Sequence, residues 1–243
     1  MLAFIGGTGL TRMANLEIIG ERDADTSWGT ASAPVTEGRL AGERVMFLPR
    51  HGNPHRLPPH RVNYRANIAA LAAAGATEII AVNAVGGISG RALENGMLVL
   101  PDQLIDYTWG RDSTFFEDEK NEPTHVDFTR PFDSSLRQRL AGALGEAGVE
   151  WIDSGCYGAT QGPRLETAAE ILRMERDGCT LVGMTGMPEA VLAREAGMAY
   201  AMLCLVVNPA AGKSEGEISM GEIAAVVEQG MERVQAVLTR MAG

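Results

Sequence analysis

Residues 64–87 read YRANIAALAAAGATEIIAVNAVGG, and the reading of this stretch decides the fold class. Tyr64–Ala74 is an Ala-rich run with helical spacing, and Gly75 stands where a left-handed C-cap is expected. Glu78–Asn83 is a short apolar run of strand type, and it ends in the small residues Ala84-Val85-Gly86-Gly87. A helix, a tight stop, a strand and a small-residue turn together form one unit of an α/β domain.

The same alternation extends in both directions. Strands are expected at Leu2–Ile5, Val45–Leu48, Met97–Leu100, Trp151–Tyr157, Leu181–Met184 and Ala199–Val207. Helices are expected at Ser135–Glu146, Thr167–Arg176, Pro188–Ala196 and Ser219–Met241. Thr167 with Glu170, and Ser219 with Glu222, fit the Ser/Thr-x-x-Glu capping box, while Gly178 and Gly197 follow helical runs as C-caps. No repeat or linker divides residues 1–243, so a single domain is expected. Two long polar loops, Pro49–Arg61 and Tyr107–Pro131, are candidates for function.

With 45% hydrophobic and 21% charged residues, the chain has the composition of a folded globular protein. Its formal charge is −10, and no basic block interrupts it, which disfavours nucleic acid as a partner. Cys156, Cys179 and Cys204 show no metal-ligand or disulfide spacing, and the N-terminus carries no leader pattern. Ala201–Val207, the longest apolar run, is too short for a bilayer. A cytoplasmic protein without a membrane partner is expected.

Several expected strands run directly into Gly, Asn, Thr or Arg. Ligands of open α/β sheets sit beyond such carboxyl ends. Gly6-Gly7-Thr8-Gly9 fails the dinucleotide fingerprint because Arg12 occupies the third glycine position. It suits either a small anion on backbone N–H groups or a plain tight turn. Arg50-His51-Gly52 offers a bidentate guanidinium and a ring donor, although a solvated basic loop has the same composition. His51, His55 and His60 lie in a Pro-rich loop without zinc-site spacing. Asn83-Ala84 ends the strand described above. Glu166 precedes a capping residue and could simply complement a helix dipole, Thr185 stands at a helix start, and Asn208-Pro209-Ala210 closes the most apolar strand.

Taken together and in order, these segments resemble the purine nucleoside phosphorylase and methylthioadenosine phosphorylase family. The RHG-xx-H…VNYxAN stretch and the GPRxxT…GMTxxPE…N succession carry the resemblance, which covers nearly the whole chain. It implies a single-domain α/β nucleoside phosphorylase fold with a mixed, distorted central sheet flanked by helices, assembled as a homotrimer. It implies that Thr8, Arg50, His51, Asn83, Ala84 and Thr185 hold inorganic phosphate as a co-substrate, with no cofactor or metal. Met184 would lie under the ribose, and Asn208, Pro209, Ala210 and Glu166 would face the base. Arg50, His51 and Asn208 would be the catalytic groups.

Two departures bear on the substrate. The adenine-directed branch carries Asp at the position of Asn208 and Ser at that of Glu166. An Asn amide can donate to O6 and accept at N7, and an ionised Glu accepts from N1–H but repels a lone pair on N1. A 6-oxopurine is therefore expected as the leaving base. Met220 replaces the histidine that 5'-hydroxyl substrates meet in this family, unless it is only a first-turn helix residue. The expected reaction is phosphorolysis of S-methyl-5'-thioinosine to hypoxanthine and 5-methylthioribose 1-phosphate. Inosine or guanosine, methylthioadenosine, and a non-catalytic nucleoside-binding role are the alternatives. His125 in the second long loop is expected to reach a neighbouring subunit's 5' pocket.

Overall fold

The computed structural model describes residues 1–117 and 124–243; residues 118–123 of the second long loop lie outside the described residues. Among the described residues, thirteen strands follow in chain order: β1 Leu2–Gly6, β2 Glu17–Arg22, β3 Asp25–Thr26, β4 Gly29–Thr30, β5 Val35–Leu40, β6 Glu43–Pro49, β7 Glu78–Gly87, β8 Leu98–Val99, β9 Gln103–Asp106, β10 Trp151–Ile152, β11 Cys156–Ala159, β12 Leu181–Gly183 and β13 Ala199–Pro209. The helices are α1 Tyr64–Ala74, α2 Ser134–Glu146, α3 Ala168–Arg176, α4 Gly186–Glu195 and α5 Met220–Ala242.

β1 lies at the centre, parallel to β6 on one side and β7 on the other, and β7 pairs in parallel with β13. β8 joins β13 antiparallel, and the antiparallel ribbon β6-β5-β2 extends the opposite edge. β7 outruns its parallel partner β1, and its far end pairs antiparallel with β12, which leads to β11 and β9. The sheet is therefore mixed and bent.

The continuous apolar run of β13 is explained by this position. Tyr200, Met202, Cys204 and Val206 enter the core on the α1/α4 face, while Ala201, Leu203, Leu205 and Val207 enter the core beneath α2 and α5. A strand buried on both faces needs no polar alternation. On α2, Leu136, Leu140 and Leu144 recur every four residues and meet the α5 stripe of Val227, Met231, Val234 and Leu238. A smaller cluster seats α3 through Ile171 and Met174 against Ile88, Cys179 and Val182.

Helix boundaries follow their local chemistry. Thr167 and Glu170 form both halves of the capping box at α3, and Ser219 Oγ accepts from the Glu222 N–H at α5. The expected strand Trp151–Tyr157 is two strands. The Gly155 N–H is taken by the Asp102 carboxylate and the Asp153 carbonyl by Arg137, so the chain turns and β11 pairs with other partners. The ribbon β2–β5 was not expected. β2 is mostly exposed, and its register is set by β5 rather than by an apolar pattern of its own.

Gly87 at the end of β7 shows why small residues follow this strand. A Cβ there would stand 1.5 Å from the Ala92 carbonyl oxygen, which is backbone and cannot yield. Gly87→Ala should lower stability by at least about 2 kcal/mol, read as a shifted urea midpoint at constant slope.

Candidate active site

The carboxyl ends of β1, β6, β7, β12 and β13 open onto one cavity of about 380 Å³. Thr8, Arg50, His51, Asn83, Ala84, Glu166, Met184, Thr185, Asn208, Ala210 and Met220 all lie on its wall. Of the residues singled out from sequence, Pro209 is absent from the wall; it is the last residue of β13, paired opposite Gly87. His125 is exposed and does not line this chain's cavity.

At the floor, Arg50 is buried almost completely, with 1% of its side chain exposed. Its Nε and Nη2 donate to the two oxygens of Glu189 at 2.6 and 2.8 Å, and Nη1 donates to the Val82 carbonyl at 3.1 Å. Tyr200 adds a hydroxyl bond to Glu189 at 2.8 Å. Burial opposes the guanidinium charge, but the adjacent carboxylate outweighs it and raises the pKa above its ordinary value. The solvated-loop reading of Arg50 is thereby excluded. The bidentate grip expected for phosphate is taken by Glu189; of five N–H donors, one on each Nη remains. Glu189 lies within the quoted GMTxxPE motif, yet no role was assigned to it. A buried arginine requiring a counter-charge is the signal that would have found it.

His51 corrects a second expectation. Its Nδ1 donates to the Leu57 carbonyl at 2.7 Å, and its ring stacks on His55 with centroids 4.4 Å apart. Burial, with the Arg50 charge beside it, lowers the imidazole pKa to about 4. The ring is therefore neutral at physiological pH, and Nε2 is an acceptor rather than the expected donor. It can accept a hydrogen bond from the hydroxyl of a protonated oxyanion.

The glycines of residues 6–9 are set by close approach. A Cβ on Gly7 would lie 2.5 Å from the Val82 carbonyl and 3.0 Å from Arg50 Nη1, so only a bare backbone passes between floor and turn. Asn83 is buried beside it, with Nδ2 on Met202 Sδ at 3.1 Å and, among the described residues, no partner for Oδ1. Thr185 caps α4 by position, but its hydroxyl makes no capping bond. The first free N–H groups there, of Thr185 and Gly186, donate instead to the Tyr157 hydroxyl at 3.2 and 3.3 Å. Tyr157 is fully buried, and burial pushes its pKa up to about 12.

Glu166 and Asn208 occupy the opposite rim. Thr160 Oγ1 donates to Glu166 Oε1 at 2.6 Å, leaving Oε2 unengaged by that bond. Asn208 follows a bulge, where the β13/β7 register slips between Val206 and Asn208. The bulge turns both Val207 and Asn208 to the cavity, which regular alternation would forbid. The Asn208 amide donates to the Pro209 carbonyl at 2.6 Å. Ile218, Met220 and Ile223 form an apolar end. Ile223 was not singled out from sequence, since only the fold brings the first turn of α5 over the strand ends. Among the described residues, no group of three His, Cys, Asp or Glu is placed to hold a metal ion.

Two outcomes follow from the floor. Glu189→Gln leaves the Arg50 charge buried without its counter-ion and should cost about 3–5 kcal/mol by urea unfolding. The unfolded chain protonates His51 near pH 6.5 but the folded chain only near 4. The neutral ring's contribution, about 3 kcal/mol, is thus complete above pH 6.5 and drains away as pH falls toward 4. His51→Gln should flatten the acid limb of the stability curve over that interval.

The comparisons with known proteins agree with this geometry. The family model described as "Phosphorylase superfamily" matches residues 2–242. A protein of Pseudomonas syringae pv. tomato named "Probable S-methyl-5'-thioinosine phosphorylase" is 56% identical, across 98% of this chain and 97% of its own length. A "Probable 6-oxopurine nucleoside phosphorylase" of Thermococcus kodakarensis is 38% identical, across 98% and 90%. The crystal structure of methylthioadenosine phosphorylase from Schistosoma mansoni in complex with adenine superposes with a TM-score of 0.94 at 30% identity, covering 99% of this chain and 90% of that one. With a mixed sheet of that form and a family match running almost end to end, the chain belongs to the phosphorylase superfamily.

Proposed function

We propose that the protein cleaves S-methyl-5'-thioinosine with inorganic phosphate, releasing hypoxanthine and 5-methylthioribose 1-phosphate. The observation that carries this reading is the hydrogen-bond polarity of the rim. Glu166, a carboxylate, and Asn208, a carboxamide, share one cavity with the Arg50 floor. Glu166 Oε2 accepts from the N1–H of an oxopurine, whereas the N1 lone pair of adenine would face an acceptor. Rotation of the Asn208 amide away from Pro209 frees a donor for O6 and an acceptor for a protonated N7.

The tail end supports the rest. Ile218, Met220 and Ile223 offer carbon and a thioether to the 5' substituent. A 5'-hydroxyl placed against them loses a hydrogen bond, a penalty of about 1–3 kcal/mol. The relatives named after methylthio nucleosides agree with this tail, and they differ among themselves in the base their names give.

Phosphate is the nucleophile and the counter-charge. It sits over the two remaining Arg50 N–H groups, with Thr8, Thr185 and the backbone of Ala84 around it and His51 Nε2 accepting a hydrogen bond from its P–OH. As the glycosidic bond lengthens, positive charge grows on the sugar above phosphate, and negative charge on the purine is taken up by Asn208. Met184 lies under the sugar. No other cofactor enters this scheme. We place the working unit in the cytoplasm as a homotrimer. Met220 is 67% exposed in the single chain, which fits a tail pocket finished by a neighbouring subunit.

Hypoxanthine release from methylthioinosine should require phosphate, and its kcat/KM should exceed that of adenine release from methylthioadenosine by roughly 10²–10⁴-fold. Faster adenine release would remove the reading. Asn208→Asp, which sets an acceptor against O6, should lower hypoxanthine release by about 10²-fold. Faster turnover of inosine than of methylthioinosine would reassign the tail pocket.

A further inference from the structure

We infer that Arg111, outside the cavity wall, is a positioning residue that fixes the base half of the site against the sugar and phosphate half. Its partners among the described residues are carbonyl, amide and hydroxyl oxygens rather than a carboxylate. Nη2 donates to the carbonyls of Thr160 at 3.2 Å and Gln161 at 2.8 Å, and Nε to Gln161 Oε1 at 3.1 Å. Nη1 donates to the carbonyls of Met184 at 2.9 Å and Met187 at 2.5 Å, and to the Tyr64 hydroxyl at 3.3 Å. The guanidinium also lies 5.4 Å over the Tyr64 ring, and Tyr64 in turn donates to the Pro59 carbonyl at 2.9 Å.

These attachments belong to different halves of the site. Thr160 is the residue whose hydroxyl holds Glu166 at the base rim. Met184 lies on the cavity wall beside Thr185, and Met187 stands one residue inside the start of α4. Pro59 is a third point on the same wall. Thr160 is already joined to Gly183 by a main-chain bond of 2.8 Å where β11 and β12 end, and beyond that ladder one planar, rigid group ties Gln161, Met187 and Tyr64 together. The fork geometry matters: five donors in fixed directions reach carbonyls on two segments at once, which a flexible ammonium cannot do. The charge serves the carbonyl dipoles, so loss of the fork leaves the β11/β12 ladder intact but loosens Gln161 and the Met184–Met187 turn beyond its end.

The consequence is kinetic. In phosphorolysis the purine must be held on one side of the sugar and phosphate on the other, at near-contact distance. Each substrate keeps its own contacts when the two halves separate slightly, but the reacting atoms lose alignment. A misplacement of about 1 Å is enough for a 10²-fold loss in rate. This rests on the site assignment proposed above.

The test compares the purified wild-type protein with Arg111→Ala and Arg111→Lys in steady-state phosphorolysis, varying nucleoside and phosphate separately. Arg111→Ala should lose about 30–100-fold in kcat while KM for each substrate moves less than about threefold. Arg111→Lys, which keeps the charge and loses the fork, should also fall well below wild type. Millimolar guanidinium chloride, but not ammonium chloride, should restore part of the Arg111→Ala rate. Circular dichroism on both variants separates this pattern from unfolding, and Arg111→Lys decides the matter if Arg111→Ala does not fold. Unchanged kcat in either variant, or a loss confined to one KM, overturns the inference. Running methylthioinosine, inosine and methylthioadenosine in parallel keeps the two readings apart. A wrong substrate appears as a changed preference in the wild-type protein, whereas a wrong positioning role appears as equal kcat with and without Arg111.

Discussion

The paired charges of Arg50 and Glu189 organise this protein. Both side chains are almost completely buried, and an isolated ion in that position would cost several kcal/mol after relaxation. The pair is tolerated because its geometry is complete: two guanidinium nitrogens meet both carboxylate oxygens, Val82 accepts from a third, and Tyr200 adds a hydroxyl. Arg50 extends from the end of β6, Glu189 from α4, Tyr200 from β13 and Val82 from β7. One ionic contact thus sets the relative positions of the central strands and the helix that begins beside the cavity.

That constraint reaches into the chemistry. With its bidentate edge closed by Glu189 and another N–H on the Val82 carbonyl, the Arg50 guanidinium is held in one orientation before any ligand arrives. Pre-aimed dipoles avoid reorganisation during the reaction, which is where electrostatic catalysis gains most. The same charge helps keep His51 neutral. An arginine that donates and a histidine that accepts suit an oxyanion carrying a proton, and the two roles are set by burial rather than by residue type.

A second group of contacts works at longer range. Tyr157 satisfies the first N–H groups of α4, Thr160 steadies Glu166, and Arg111 joins the loops that carry them. None of Tyr157, Thr160 and Arg111 belongs to the wall that Arg50, His51 and Asn208 make. The bulge before Asn208 completes the arrangement by placing two successive residues on one face.

Much of this was legible in the chain. Runs such as Glu78–Asn83 and Ala199–Val207 announce buried strands, the Thr167/Glu170 box announces a helix start, and strand ends rich in Gly, Asn and Thr announce a ligand edge, because local sterics and backbone hydrogen bonding act within a few residues. The motif order was sufficient to indicate the family. The split of 151–157 into two strands, the exposed ribbon β2–β5, the closing of Arg50 by a residue 139 positions away, and the acceptor state of His51 were not legible. Each depends on a partner distant in sequence or on the dielectric around a group, and composition records neither. The sequence by itself determined which chemical groups are available and roughly where strands end. The tertiary structure decided which of them are charged, which way they donate, and which are already engaged, because those properties arise only when burial and long-range pairing bring the partners together.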